Sequence, residues 1–163
     1  GAGRSVHKKY ANKNLYESLS AYGVGFHRHN SEIEQEIKTY IGSKFRVTFT
    51  PHLIPMFRGI LSTIYIDLKS NTTQSKIIKE LRKFYKNKKF VKIMNKDKLL
   101  STNDVINTNY CYISVCKTKY KNKLILLSVI DNLIKGGAGQ AIQNMNQKFE
   151  FKENEGLIWK KYY

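Results

Sequence analysis

The sequence predicts an α+β domain, a mixed or mainly antiparallel sheet covered by helices. Three observations support that class. Helix-period and strand-period runs follow one another as helix, strands, helix, strands, helix. The 163 residues are enough for one domain, expected to span 1–163, with a real core. A hydrophobic share of 41% argues against a disordered chain.

The elements follow in order. Residues 1–23 are polar, with Leu15, Leu19 and Tyr22 spaced for one or two helical turns. In HRHNSEIEQEI, Asn30 or Ser31 suits a helix N-cap and Glu34 completes a capping box with Ser31. Ile33, Ile37, Tyr40 and Ile41 recur at helical spacing, and Gly42 ends the run. From Phe45 the pattern turns to strands. FRVTFTPHL is rich in β-branched and aromatic residues, and ILSTIYIDL puts Ile60, Ser62, Ile64, Ile66 and Leu68 on one face. Pro51, Pro55 and Gly59 make the segment between them a shaped connection.

TTQSKIIKELRKFYKNK reads as a helix with Ile77, Leu81, Phe84 and Tyr85 facing inward. Strands are expected at FVKIM, NYCYISVCKTK and KLILLSVID, the last two joined by a turn around residues 120–122. A final helix, AGQAIQNMNQKF, has an inward face of Ala138, Ala141, Ile142, Met145 and Phe149 and an exposed face of Gln140, Gln143 and Asn144.

Composition narrows the function. No apolar run approaches the roughly 18 residues of a membrane span, and GAGRSVHKKY does not resemble a secretory signal, so a soluble, cytoplasmic chain is expected. Cys111 and Cys116 are five apart in a strand pattern and point to opposite faces, so neither a disulfide framework nor a zinc site is implied. The net charge of +17 raises nucleic acid as a partner, but the lysines are scattered beside Asn and Tyr. A compositional bias without a binding role is the better reading, and nucleic acid is not expected.

Three runs could carry chemistry. His27, Arg28 and His29 stand just before a helix start, where backbone N–H groups favour an anion. Two residues apart in an extended loop, the histidines would face one side, with Glu32 near enough to orient a ring. Proton transfer, an anion clamp, a metal site and a plain polar loop all remain open. Arg58, with His52 in the same Pro-bounded segment, suits a carboxylate or phosphate. DNLIKGGAGQAIQNMN takes an apolar strand through a Gly-rich turn into a helix, but matches neither the GxGxxG fingerprint nor a P-loop.

Taken together, GAGR, HRHNSEIEQEI, FTPHLIPMFRGIL, DNLIKGGAGQAIQNMN and the late EGL closely resemble the N-acetyl-gamma-glutamyl-phosphate reductase family of arginine biosynthesis, in its order and over almost the whole chain. The resemblance implies a substrate-binding and dimerisation domain like the C-terminal domain of glyceraldehyde-3-phosphate dehydrogenase-type enzymes. It implies reduction of N-acetyl-glutamyl 5-phosphate by NADPH, with release of phosphate, through a thioester on a cysteine. It also implies that this cysteine and an N-terminal Rossmann domain, a required partner, are absent from the chain, which is then inactive alone. Cys111 and Cys116, as strand residues, are not expected to replace that cysteine.

By the same resemblance His29 is the acid/base, assisted by His27, and Arg28, Glu32, Arg58 and Arg4 contact substrate. Asn132, Gly139, Gln140 and Asn144 contact NADP, no metal is used, and copies associate through the sheet. Two alternatives are a related aminoadipyl-phosphate reductase of lysine biosynthesis and a basic, non-catalytic binding or oligomerisation module.

Overall fold

The computed structural model describes residues 17–42 and 45–158. They belong to two compact units, residues 17–57 and 58–158. Leu15 and Arg4 lie outside the described residues.

In the first unit β1 (Ser20–Ala21) pairs antiparallel with β2 (His52–Leu53), in the register Ser20 to Leu53 and Ala21 to His52. The helical turns expected around Leu19 and Tyr22 are therefore a short strand. Of the strand expected across residues 45–53, only the last two residues pair. The physical reason is a competing acceptor: the Val47 N–H donates to Glu34 Oε1 at 2.9 Å, so a helix side chain takes the bond a neighbouring strand would have supplied. Between these strands runs α1 (Arg28–Ile41), ended by Gly42 at φ 65°, whose N–H donates to the Lys38 carbonyl. That left-handed stop is what the glycine was expected to provide.

The second unit is built on a four-stranded sheet in the order β3 (Ile60–Asp67), β6 (Lys123–Ile130), β5 (Cys111–Lys117), β4 (Val91–Ile93). β4 runs parallel to β5 and the other pairs are antiparallel, so the sheet is mixed. Side chains alternate between its faces. On one face Ile66, Leu124, Val115 and Ile93 pack with Ile77, Ile78 and Leu81 of α2 (Gln74–Phe84). On the other Val129, Leu127 and Tyr112 pack with Leu100, Val105 and Met94 from the β4–β5 connection.

Thr73 caps α2, its side chain accepting from the Lys76 N–H. Phe84, expected to face inward, is 68% exposed, because the packed face centres on Ile78 and Leu81 and leaves Phe84 at its margin. Ile60 and Ile64 alternate as expected but are exposed, since β3 is an edge strand.

β3 is entered through Gly59, at φ +113°, where a Cβ would stand 2.5 Å from Thr102 Cβ. Thr102 sits in a 3₁₀ turn, Thr102–Asp104, closed by a reciprocal Ser101–Asp104 capping box. Gly59→Ala is therefore expected to cost about 2–5 kcal/mol from backbone strain plus overpacking, read as a lower urea midpoint at unchanged m-value.

A π-turn (Ile134–Ala138) leads into the final helix, α3 (Gly139–Lys148), which is inverted relative to expectation. Gly139, Gln143 and Asn146 are its buried residues, while Ala138, Ala141, Ile142, Met145 and Phe149 are exposed. What lies beneath α3 is polar. Gln143 Oε1 accepts from Asn109 Nδ2 at 3.0 Å and Lys135 Nζ at 2.7 Å, and Gln143 Nε2 donates to Glu153. Asn146 Nδ2 donates to the carbonyls of Glu153 and Glu155. Buried amides with these partners cost little, so the polar stripe can face inward.

Candidate functional site

α1 starts three or four residues earlier than the capping pattern of Asn30 or Ser31 suggested. His27 is its N-cap, with φ −70° and ψ 136°, and its Nδ1 accepts from the His29 N–H at 3.2 Å. Ser31 Oγ donates to the Arg28 carbonyl instead of capping. Glu34 does not reach back to the helix start as a capping box requires; it holds Asn30 Nδ2 and the Val47 N–H. An imidazole can cap because an unprotonated ring nitrogen is an acceptor, and this bond places the ring hydrogen of His27 on Nε2.

The HRH stretch is thus a helix N-terminus and not an extended loop, yet the two imidazoles still meet. Their ring centroids are 4.6 Å apart at 72°. Tyr22 and Phe49 each stand edge-on to His27 at 5.4 Å, and Phe49 lies 6.4 Å from His29. His27 is half-buried, whereas Arg28, His29 and Glu32 are exposed. The ring contacts that orient the histidines come from Tyr22, Phe49 and each other, and the acidic side chain of α1 that ties it to the following segment is Glu34, through the Val47 N–H. Phe49 left one trace in the sequence, its place in the aromatic FRVTF run. Nothing there tied it to the histidines.

In the second unit the register of β3 on β6, Ile60 against Ile130, sets residues 58–59 beside residues 131–132. Arg58 donates through Nη1 to Asp131 Oδ2 at 3.3 Å, and the Gly59 N–H donates to Asn132 Oδ1 at 2.7 Å. Asp131 is wholly buried and accepts three further bonds. The N–H groups of Leu133 and Ile134 reach Oδ1 at 2.8 and 3.0 Å, and the Asn107 N–H reaches Oδ2 at 2.9 Å. Asn107 takes φ 60°, a conformation Asn tolerates better than most residues.

Burial pushes the Asp131 carboxyl up, but the hydrogen bonds from Asn107, Leu133, Ile134 and Arg58 together outweigh it and hold it below 3.8. A carboxylate with a lowered folded value adds stability that is fully present above its unfolded value and is lost as pH falls through the folded one. Stability is therefore expected to fall below about pH 3.8 and more shallowly in Asp131→Asn, as thermal unfolding across an acid series would show.

Further along, Gln140 Nε2 donates to Asn144 Oδ1 at 2.8 Å, which sets the two amides on one stripe of α3. Gly139 is buried, and a Cβ there would meet Asn109 Oδ1 and Ile134 Cγ2. Its lack of a side chain lets α3 approach the 109–134 region. Gln143, expected to be exposed with Gln140 and Asn144, is buried in the polar layer, where burial pushes the Lys135 ammonium down and the Glu153 carboxylate offsets part of that push.

Cys111 and Cys116 are free thiols on β5, opposite Ile130 and Ile125 of β6 and so on opposite faces. Among the described residues no three His, Cys, Asp or Glu side chains are grouped to hold a metal. No described helix is long and apolar enough to cross a membrane.

Residues 1–132 match the family model described as "Semialdehyde dehydrogenase, dimerisation domain". The chain is 45% identical over 158 residues, 97% of its length, to the N-acetyl-gamma-glutamyl-phosphate reductase of Staphylococcus saprophyticus, and 44% identical over 96% of its length to that of Halothermothrix orenii. Each match covers 46% of the relative, so the chain spans about half the length of these curated proteins. Among solved structures, aspartate semialdehyde dehydrogenase II from Vibrio cholerae superposes with a TM-score of 0.60 at 15% identity, covering 77% of this chain and 38% of that one. The aspartate semialdehyde dehydrogenase of Francisella tularensis gives 0.58 at 14%, covering 82% and 40%. At those identities the likeness is one of fold, and it bears out the expected α+β class.

Proposed function

Since the chain belongs to the semialdehyde dehydrogenase dimerisation-domain family, we propose that it is the substrate-binding and dimerisation part of a reductase that converts N-acetyl-glutamyl 5-phosphate to the 5-semialdehyde with NADPH. The observation that carries this reading is the pair of imidazoles at the N-terminus of α1. His29, with its exposed ring, is the acid/base group that moves a proton to or from the substrate oxygen. His27 has one nitrogen committed to the backbone, so its part is to hold the helix start and, through Nε2–H, to donate to substrate.

Arg28 stands beside them at a helix N-terminus, which favours an anion. Arg58 supplies a second cation, and Glu32 and Arg4 complete the proposed substrate contacts. The nucleophilic cysteine of such chemistry is assigned to neither Cys111 nor Cys116, because both sit inside a paired strand.

Asn132, Gln140 and Asn144 are the proposed dinucleotide contacts. Asn132 has its carbonyl oxygen held by Gly59, which leaves its NH₂ as donor, and Gln140 and Asn144 form a polar stripe on α3. These residues would hold NADP, with Gly139 giving α3 its close approach. When bound, the cofactor supplies a hydride.

Association of copies through the sheet is supported by exposed Leu61 and Tyr65 on the edge strand β3. Concentration-dependent sedimentation is the expected result, and Tyr65→Lys should weaken it.

The functional test is a chimera in which this chain replaces the matching stretch of the S. saprophyticus reductase. NADPH consumption that requires the acetylglutamyl acyl phosphate is expected. An inactive chimera beside an active parent, or a preference for the aminoadipyl compound, would count against the proposal.

A further inference from the structure

We propose that Asp131 is a positioning residue for substrate recognition, holding the Arg58 guanidinium in a fixed orientation at the β3–β6 end. This rests on the reading of Arg58 as a substrate contact. Arg58 and Asp131 are 73 residues apart in sequence and meet only because β3 and β6 pair in register up to Ile60 and Ile130.

The two partners are unequal. The Asp131 side chain is 0% exposed and pinned by three backbone N–H groups, whereas the Arg58 side chain is 27% exposed. A carboxylate so anchored cannot swing to follow its partner; the arginine is the group that is aimed. Guanidinium is planar, so a bond at its edge restricts the orientation of the whole group, which a point charge would not need.

Asn132 adds a second tie one residue on. Its Oδ1 accepts from the Gly59 N–H, so the backbone carrying Arg58 is fixed by the residue that follows Asp131. Gly59 is itself packed against Thr102, which leaves the 58–59 turn little freedom. The substrate-side arginine and the proposed cofactor-side amide are therefore joined into one rigid corner through two consecutive residues, Asp131 and Asn132. The competing account is that Asp131 only caps the turn at residues 133–134 and that Arg58 neutralises its charge.

The chimera described above separates the two accounts. In the positioning account Arg58→Gln raises KM for the acyl phosphate about ten- to hundredfold, with kcat changed less than about threefold. Asp131→Asn raises KM about tenfold at similar kcat, and the double variant matches Arg58→Gln alone within about twofold, because Asp131 acts through Arg58.

Arg58→Lys keeps the charge and loses the fork without touching Asp131, so it is informative even if Asp131→Asn folds poorly. Its KM is expected to lie within about threefold of that of Arg58→Gln. A wild-type KM in Arg58→Lys, or KM effects that multiply in the double variant, would overturn the positioning role while leaving the reductase reading intact. An inactive wild-type chimera beside an active parent would instead remove the reductase reading, and the positioning role with it.

Discussion

His29→Gln is expected to lower kcat of the active chimera by about 10²–10⁴-fold while the chain stays folded. Glutamine preserves polarity and approximate size but is no proton-transfer group, so that role is removed together with the ring contacts to His27 and Phe49. His29 is exposed, and its contribution to the helix start comes from its backbone N–H, which any residue other than proline retains. Far-ultraviolet circular dichroism should therefore be unchanged.

His27→Ala should behave differently. It removes the cap acceptor at Nδ1 and the edge contacts with Tyr22 and Phe49, costing about 1 kcal/mol or more of stability. Measuring kcat and the urea midpoint on both variants separates the roles. Parental kcat in His29→Gln would exclude it as the acid/base.

Asp131→Ala should destabilise the chain by about 3–5 kcal/mol, enough to leave much of it unfolded at physiological temperature. The carboxylate is the common acceptor for the N–H groups of Asn107, Leu133 and Ile134 and for Arg58. Its removal strands three backbone donors, each of which carries a desolvation penalty, and takes one partner from a partly buried cation. Equilibrium urea unfolding, monitored by circular dichroism, reads the loss. A change below about 1 kcal/mol would mean that water or relaxation replaces those bonds and that the corner is less rigid than its geometry implies.

Much of the second unit was legible in the sequence. The strands read at residues 60–68, 109–119 and 123–131 became β3, β5 and β6, and the apolar positions Ile77 and Leu81 became the packed face of α2, because each pattern matches the local geometry that buries it. The opposite facing of Cys111 and Cys116 follows from the same alternation. The residue types of the candidate site were legible too: two histidines and an arginine before a helix, an arginine in a Pro-bounded segment, and an Asn after an apolar strand.

Three features were not legible, and each turns on a partner distant in sequence. The run from Phe45 to Leu53 has strand propensity, but a strand needs a neighbour, and Val47 finds Glu34 instead. Helix periodicity located α3 but gave the wrong inward face, because Asn109, Lys135, Glu153 and Glu155 provide a polar bed for Gln143 and Asn146. Asp131 was visible only as the end of a strand. Its role as a four-donor hub required β3, β6 and the 107 turn to converge.

Sequence by itself determined the α+β class, the family resemblance and the candidate residues, since periodicity, capping chemistry and motif order are local properties of the chain. Tertiary structure alone decided that α3 turns its amides inward and that Asp131 holds Arg58. Those outcomes depend on which buried donors and acceptors find each other in space, and spacing along the chain does not encode that pairing.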